Sequence, residues 1–139
     1  MSKGKYLGID FGEKRVGIAV SDFDKAIVFP RDYLEYKTLP SLIKSIADLC
    51  AEEQVVKIVI GLPIEMSGTW GEKAKKVLAF GEKLKIALQS LKIEYFDERL
   101  TTLGASRMLR SHGIKAKEQK KGIDSVSAQI ILQNYLNSL

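Results

Sequence analysis

Histidine and cysteine are nearly absent from this chain: His112 and Cys50 are single examples in 139 residues. One cysteine excludes a disulfide framework. One of each excludes the usual zinc constellations, which need several nitrogen and sulfur ligands. A Ser-His-Asp site is not supportable on His112, which falls beside an expected helix terminus, an ordinary place for an imidazole. Long apolar runs are missing too. None approaches the roughly 18–20 residues that span a bilayer. The opening Met1-Ser2-Lys3-Gly4-Lys5 leads straight into a strand-like run, so no signal peptide is expected. Standard phosphate motifs also fail. There is no G-x-G-x-x-G, and although Gly12 and Gly17 have P-loop spacing, Ile18 stands where a lysine is required. A cytoplasmic protein with no membrane partner is the expectation.

What remains is a chain 45% apolar and 28% charged, the balance of a soluble globular protein. Its length suits one domain, 1–139, with a real hydrophobic core. The net charge is +5, and it is localised. Arg107, Arg110, Lys115, Lys117, Lys120 and Lys121 are opposed between 107 and 121 by Glu118 alone, and the rest of the chain is balanced. A concentrated basic segment is the footprint of a polyanion binder, although a solvated helix end followed by a basic loop would read the same way.

Periodicity predicts strands over 6–11 and 16–21, joined by the tight turn Gly12-Glu13-Lys14-Arg15. A third strand over 26–33 contains Pro30, which assigns it to a sheet edge. Pro40 opens a helix whose apolar stripe includes Leu42, Ile46 and Cys50, making that thiol a core group. The β-branched run at 55–60 is a strand stopped by Gly61-Leu62-Pro63. A helix over 71–90 follows, and Gly81 on its apolar stripe marks a close approach. A short strand at 93–96 leads to Asp97-Glu98. A further helix is expected from 101 to Gly113, then the basic loop, then a last helix over 124–139. Three meandering strands followed by strand–helix alternation imply a mixed five-stranded α/β sheet, order β-β-β-α-β-α-β-α-α, flanked by helices.

Four acids fall at the centres or ends of these elements. Asp10 interrupts a strand, where aspartate is uncommon and a buried carboxylate is costly unless paired or cation-bound. Taken alone it reads equally as a cap on the turn at Gly12. Asp97 and Glu98 end a strand and point opposite ways if it persists, so only one is expected in a shared site, and alternation does not choose between them. Asp124 reads as an ordinary first-turn acid. It also shares a helical face with Ala128, Ile131, Leu132, Tyr135 and Leu139, which must look at the sheet. If the first strand is central, these groups meet at strand ends. Carboxylates without histidine or cysteine form a hard oxygen site suited to Mg²⁺ or Mn²⁺. Two such ions about 4 Å apart serve phosphodiester hydrolysis.

Leu7-Gly8-Ile9-Asp10-Phe11-Gly12, Ile60-Gly61-Leu62-Pro63, Asp97-Glu98-Arg99-Leu100-Thr101-Thr102 and Lys121-Gly122-Ile123-Asp124-Ser125 together resemble the YqgF/RuvX family. The resemblance covers essentially the whole chain. It implies an RNase H-like fold, related in architecture to the RuvC resolvases. It also implies a metal-dependent nuclease that processes the 5′ end of pre-16S rRNA, with Holliday-junction resolution as the alternative. Asp10, Glu98 and Asp124 become the catalytic, metal-holding carboxylates, with Asp97 as a further candidate ligand and two ions of Mg²⁺ or Mn²⁺ as cofactor. The nucleic-acid contacts are expected from Lys14, Arg15, Arg99, Arg107, Arg110, Lys115, Lys117, Lys120 and Lys121. The partner is structured RNA or branched DNA, bound by a monomer or a homodimer. Many family members carry asparagine where this chain has Glu65, which leaves the loop after Gly-Leu-Pro without an assigned role. A non-catalytic nucleic-acid-binding module is the reading from another class. An ATP-binding reading, from the likeness of Gly8-Ile9-Asp10-Phe11-Gly12 to the phosphate loop of sugar kinases and actin-like ATPases, requires a duplicated fold for which 139 residues are too few.

Overall fold

A computed structural model describes residues 3–100 and 125–139. The predicted 101–113 helix, His112, the basic loop and Asp124 lie outside the described residues. Five strands form one sheet: β1 (Lys5–Asp10), β2 (Arg15–Ser21), β3 (Val28–Glu35), β4 (Val55–Leu62) and β5 (Lys92–Asp97). Helix α1 (Leu39–Glu53) precedes β4, α2 (Glu72–Ala87) precedes β5, and α3 (Val126–Asn137) closes the chain. The spatial order is β3-β2-β1-β4-β5. The first three strands are antiparallel neighbours, whereas β1, β4 and β5 run parallel.

This mixed order follows from the connections. Short turns join β1 to β2 and β2 to β3, so those strands must reverse. The helical crossovers through α1 and α2 return the chain to the same end and force parallel pairing. β1 therefore becomes central, with the hairpin on one side and the crossovers on the other. Pro30 has no N–H for a ladder, and it lies on β3, at the sheet's edge, opposite Ala19.

The sheet has two unlike faces. On one, Leu7, Ile9, Ile18, Ile58 and Ile60 pack with Leu42, Ile46 and Cys50 of α1 and with Val77, Phe80 and Leu84 of α2. Thr38 caps α1 by accepting from the Ser41 N–H at 3.3 Å, and Pro40 sits in the first turn. Burial raises the Cys50 thiol to about 12, which suits a core group and not a nucleophile. Gly81 answers the close-approach expectation, since a Cβ there would overlap the Tyr95 hydroxyl and stand 2.6 Å from the ring at Cε1. Phe80, beside Gly81 on α2, stacks on Phe11 with ring centroids 4.3 Å apart.

The opposite face carries α3 alone among the described helices, with Ala128, Ile131, Leu132 and Tyr135 against Ala19, Val28 and Val59. Here three glycines matter together. A Cβ on Gly8 would stand 2.8 Å from Leu132 Cβ, one on Gly61 would overlap Ile131 Cδ1, and one on Gly17 would stand 3.6 Å from both Ala128 Cβ and Ser125 Cα. The missing side chains let α3 sit almost on the sheet backbone. Both ends of the helix are tied down. Ser125 Oγ accepts from the Ile18 N–H at 2.9 Å. At the other end Lys57 Nζ donates to Tyr135 Oη and Tyr135 Oη donates to Glu94 Oε2, each at 2.8 Å. The inward face ends sooner than predicted: α3 stops at Asn137, and Leu139 is 75% exposed. Periodicity continued past the last residue that could reach the sheet.

Candidate active site

Asp10, Leu62 and Asp97 end the three parallel strands on the same side of the sheet. Parallel strands place their C-terminal ends together, and a crevice opens there. Asp10 pairs with Gly17 across the hairpin, and a Cβ on Gly17 would lie 3.5 Å from Asp10 Cβ. Since residues two apart share a face, Asp10 lies on the same side as Gly8, the side covered by α3. The carboxylate thus stands where the start of α3, at Ser125, meets the hairpin.

Glu98 reaches the same face by another route. β5 ends at Asp97, and a single 3₁₀ turn, Glu98–Leu100, redirects the chain. Glu98 is buried, and its Oε2 lies 3.0 Å from where a Cβ on Gly61 would stand. Gly61 is the residue after Ile60, the partner of Ile9, so it sits beside the level of Asp10. Glu98 therefore folds back from β5 over β4, the strand adjacent to Asp10. The glycine leaves room for the carboxylate beside it and for Ile131 of α3 above it.

Asp97 takes a different part. Its Oδ1 and Oδ2 accept from Arg99 Nε at 3.1 and 3.0 Å, Oδ2 accepts from Nη2 at 2.7 Å, and Oδ1 accepts from the Arg99 N–H at 2.9 Å. The guanidinium holds the Asp97 carboxyl below its ordinary range. Asp97 is the internal partner of Arg99, and the fork expected to grip nucleic acid faces its own carboxylate.

On the hairpin side, Asp10, Lys14, Arg15, Gly17, Tyr33 and Lys73 line a polar depression of about 300 Å³ that also takes in Phe11, Gly12 and Glu13. The Arg15 guanidinium lies over the Tyr33 ring, 4.7 Å from its centroid. Lys73 belongs to the exposed face of α2 and was not legible as a site residue, because periodicity assigns such a lysine to solvent. Glu65 does not reach the carboxylates by any described contact. Its Oε2 lies 2.6 Å from the position of a Cβ on Gly71, the N-cap of α2, where a negative charge is favourable.

The donor set fits a hard divalent cation. Asp10 and Glu98 supply oxygens only, they share one face, and glycines clear the space around both. Among the described residues no group of three histidine, cysteine or acidic side chains forms a ready metal cluster. The third acid of the expected set, Asp124, precedes Ser125 in sequence and lies outside those residues. So do Arg107, Arg110, Lys115, Lys117, Lys120 and Lys121.

The sequence pattern of the RuvX family, described as Holliday junction resolvase, matches residues 4–138. The chain belongs to the RuvX family. A protein of Chloroflexus aggregans named "Putative pre-16S rRNA nuclease" is 40% identical over 138 residues, covering 99% of this chain and 96% of its own. One of Mycobacterium leprae with the same name is 37% identical over 135 residues, covering 97% of this chain and 73% of its own. Among solved structures, Thermus thermophilus RuvC in complex with Holliday junction substrate superposes with a TM-score of 0.59 at 11% identity, covering 97% of this chain and 94% of that one. The fowlpox virus Holliday junction resolvase gives 0.54 at 13% identity, covering 97% and 99%. At such identities the likeness is one of fold: the RuvX chain has the RuvC-like, RNase H-type arrangement. No helix among the described residues is long and apolar enough to cross a membrane.

Proposed function

We propose that this RuvX protein is a divalent-metal-dependent nuclease that processes the 5′ end of pre-16S rRNA. The observation that carries the reading is the convergence of Asp10 and Glu98 on one face, at one end of the sheet, with glycines opposite both. Membership of a family described as a resolvase, and relatives named for pre-16S rRNA, support nuclease chemistry and that substrate.

In this reading Asp10, Glu98 and Asp124 hold Mg²⁺ or Mn²⁺. When bound, two such ions activate water and stabilise the leaving oxygen of a phosphodiester. The residues themselves do the positioning. The β1–β2 ladder fixes Asp10, and the 3₁₀ turn over Gly61 fixes Glu98. Lys14, Arg15 and Lys73 surround the depression beside Asp10 and attract the phosphate backbone. The basic residues between 107 and 121 extend that attraction. Asp97 keeps Arg99 oriented at the rim.

Cleavage of four-way DNA junctions is the second reading, favoured by the family's description. Symmetric cutting of two strands calls for two sites related by a two-fold axis. The test incubates wild type and Asp10→Asn with pre-16S RNA and with a four-way junction, in Mg²⁺, Mn²⁺ or EDTA. Metal-dependent cutting of the RNA that Asp10→Asn abolishes is the expected result. Unchanged cutting by a folded Asp10→Asn protein rejects the mechanism. Paired cuts in the junction by a dimer replace the first reading with the second.

A further inference from the structure

The loop between β4 and α2, residues 63–71, carries the family's Gly-Leu-Pro signature into a segment that the chemistry above does not use. It is internally braced. The Glu65 N–H donates to the Thr69 carbonyl at 3.0 Å, the Gly68 N–H donates to the Glu65 carbonyl at 2.7 Å, and the Ser67 and Thr69 hydroxyls bond at 2.9 Å. Gly68 takes φ +91°, a backbone conformation closed to most L residues. A loop held this firmly nevertheless presents Met66 at 83% exposure and Trp70 at 42%. Leaving a tryptophan in water forfeits burial of a large apolar surface, so its exposure in a braced loop asks for a partner.

The loop's position narrows the choice. It leaves the C-terminal end of β4, between the strand ends that carry Asp10 and Asp97. A Cβ on Gly68 would lie 3.7 Å from Arg99 Nη1, so the loop leans on the residue next to Glu98. At its other end α2 begins, and Lys73 in its first turn lines the depression with Asp10. An exposed aromatic on the loop that leads into this depression, which Lys14, Arg15 and Lys73 line against Asp10 and Glu13, supplies the two parts of a surface for unpaired nucleotides. Cations follow the backbone, and a ring face accepts any base. The depression has more cations than acids, an excess that the charge of a nucleic-acid strand matches better than a protein partner would.

We infer that Trp70, on a loop that also exposes Met66, stacks an unpaired base of the bound strand next to the scissile phosphate. Trp70 is then a positioning and specificity residue, holding single-stranded substrate in register with Asp10 and Glu98. The inference rests on the nucleic-acid reading proposed above. It also gives the loop a selective role, since a base locked in a duplex cannot offer its face to the indole.

Trp70 is the chain's one tryptophan, so the protein carries its own reporter. The experiment titrates full-length protein with a short oligouridine, using Ca²⁺ in place of Mg²⁺. Anisotropy of a 5′-labelled oligonucleotide reports binding, and intrinsic emission with unlabelled oligonucleotide reports stacking. Expected is a saturable change in Trp70 emission with the same midpoint as the anisotropy. Trp70→Ala should weaken binding roughly five- to a hundredfold, and Trp70→Phe should largely restore it. Binding without an emission change, or unaltered affinity in Trp70→Ala, overturns the role of the loop while leaving the nuclease reading in place. No binding to wild type overturns the loop's role and the nucleic-acid reading together. Loss of cutting in Asp10→Asn with stacking retained separates the chemical site from the gripping one.

Discussion

Glu98 borders the space that a side chain on Gly61 would enter: its Oε2 lies 3.0 Å from the position of that missing Cβ, where Ile131 Cδ1 packs. The glycine of the Gly-Leu-Pro signature and the glutamate of the Asp-Glu-Arg signature, far apart in sequence, form one unit. Gly61→Ala should therefore act twice. Ile131, whose Cδ1 the new methyl would overlap, must move, at a stability cost of about 1–3 kcal/mol. Glu98 is displaced as well, so cleavage should fall by more than the lost stability explains. Urea denaturation beside single-turnover cleavage under conditions where the variant is fully folded separates the effects. Unchanged cleavage by folded Gly61→Ala would dissociate Glu98 from the site.

The neighbouring acids should differ sharply. Glu98→Gln removes a buried carboxylate from the shared face, and the expected loss of cleavage is on the order of a hundredfold or more. Asp97→Asn instead weakens the hold on Arg99 and should alter substrate affinity more than turnover. Steady-state KM and kcat for each variant check this. Equal losses in kcat would mark Asp97 as a metal-holding residue alongside Glu98.

Ser125→Ala leaves the buried Ile18 N–H without the hydroxyl that accepts from it at 2.9 Å. The expected destabilisation is about 1–3 kcal/mol. Since this bond fixes the start of α3 against β2 beside Asp10, hydrogen exchange at Ile18 should also speed up. Protection at Ile18 equal to wild type would show that the hydroxyl is not what holds it.

Cys50 supplies a pH prediction. Burial raises its thiol from 9.0 to about 12. The unfolded chain releases its proton first, so the stabilisation from keeping the thiol neutral is complete below pH 9 and is lost as pH rises toward 12. Within that window stability should fall by up to about 1.4 kcal/mol per pH unit from this group. Denaturation of wild type and Cys50→Ala at several pH values isolates that slope. The native thiol should also resist modification at pH 8 and react once urea unfolds the chain.

Much of the fold was legible because local signals and topology agreed. The turn after Asp10 made β1 and β2 a hairpin, Pro30 assigned β3 to the edge, and the alternation after Pro40 required the crossovers that centre β1. Gly81 was readable as a close approach because a glycine on an apolar stripe weakens its helix unless a neighbour fills the space beside it. The choice between Asp97 and Glu98 was not readable from alternation, because the 3₁₀ turn breaks the strand where alternation would have to apply. The resemblance favoured Glu98, whose carboxylate lies beside Gly61 on the face that also carries Asp10. Gly17 and Gly61 resisted reading for a different reason: the space above a strand glycine is decided by a helix far along the chain. Phe80, Lys73 and Trp70 share that difficulty, since what lies opposite a side chain is a tertiary fact.

The bare glycine face beneath α3 has an evolutionary consequence. Where Gly8, Gly17 and Gly61 meet the helix, Leu132, Ala128 and Ile131 press on bare strand backbone, and the strand has no side chain there that could shift to absorb a change in volume. The α1–α2 face is filled by larger aliphatic groups that can repack around a substitution. Sequence drift should thus accumulate on the second face and stall on the first. Two halves of one core would diverge at different rates, and the slower one would trace the face that carries Asp10 and Glu98.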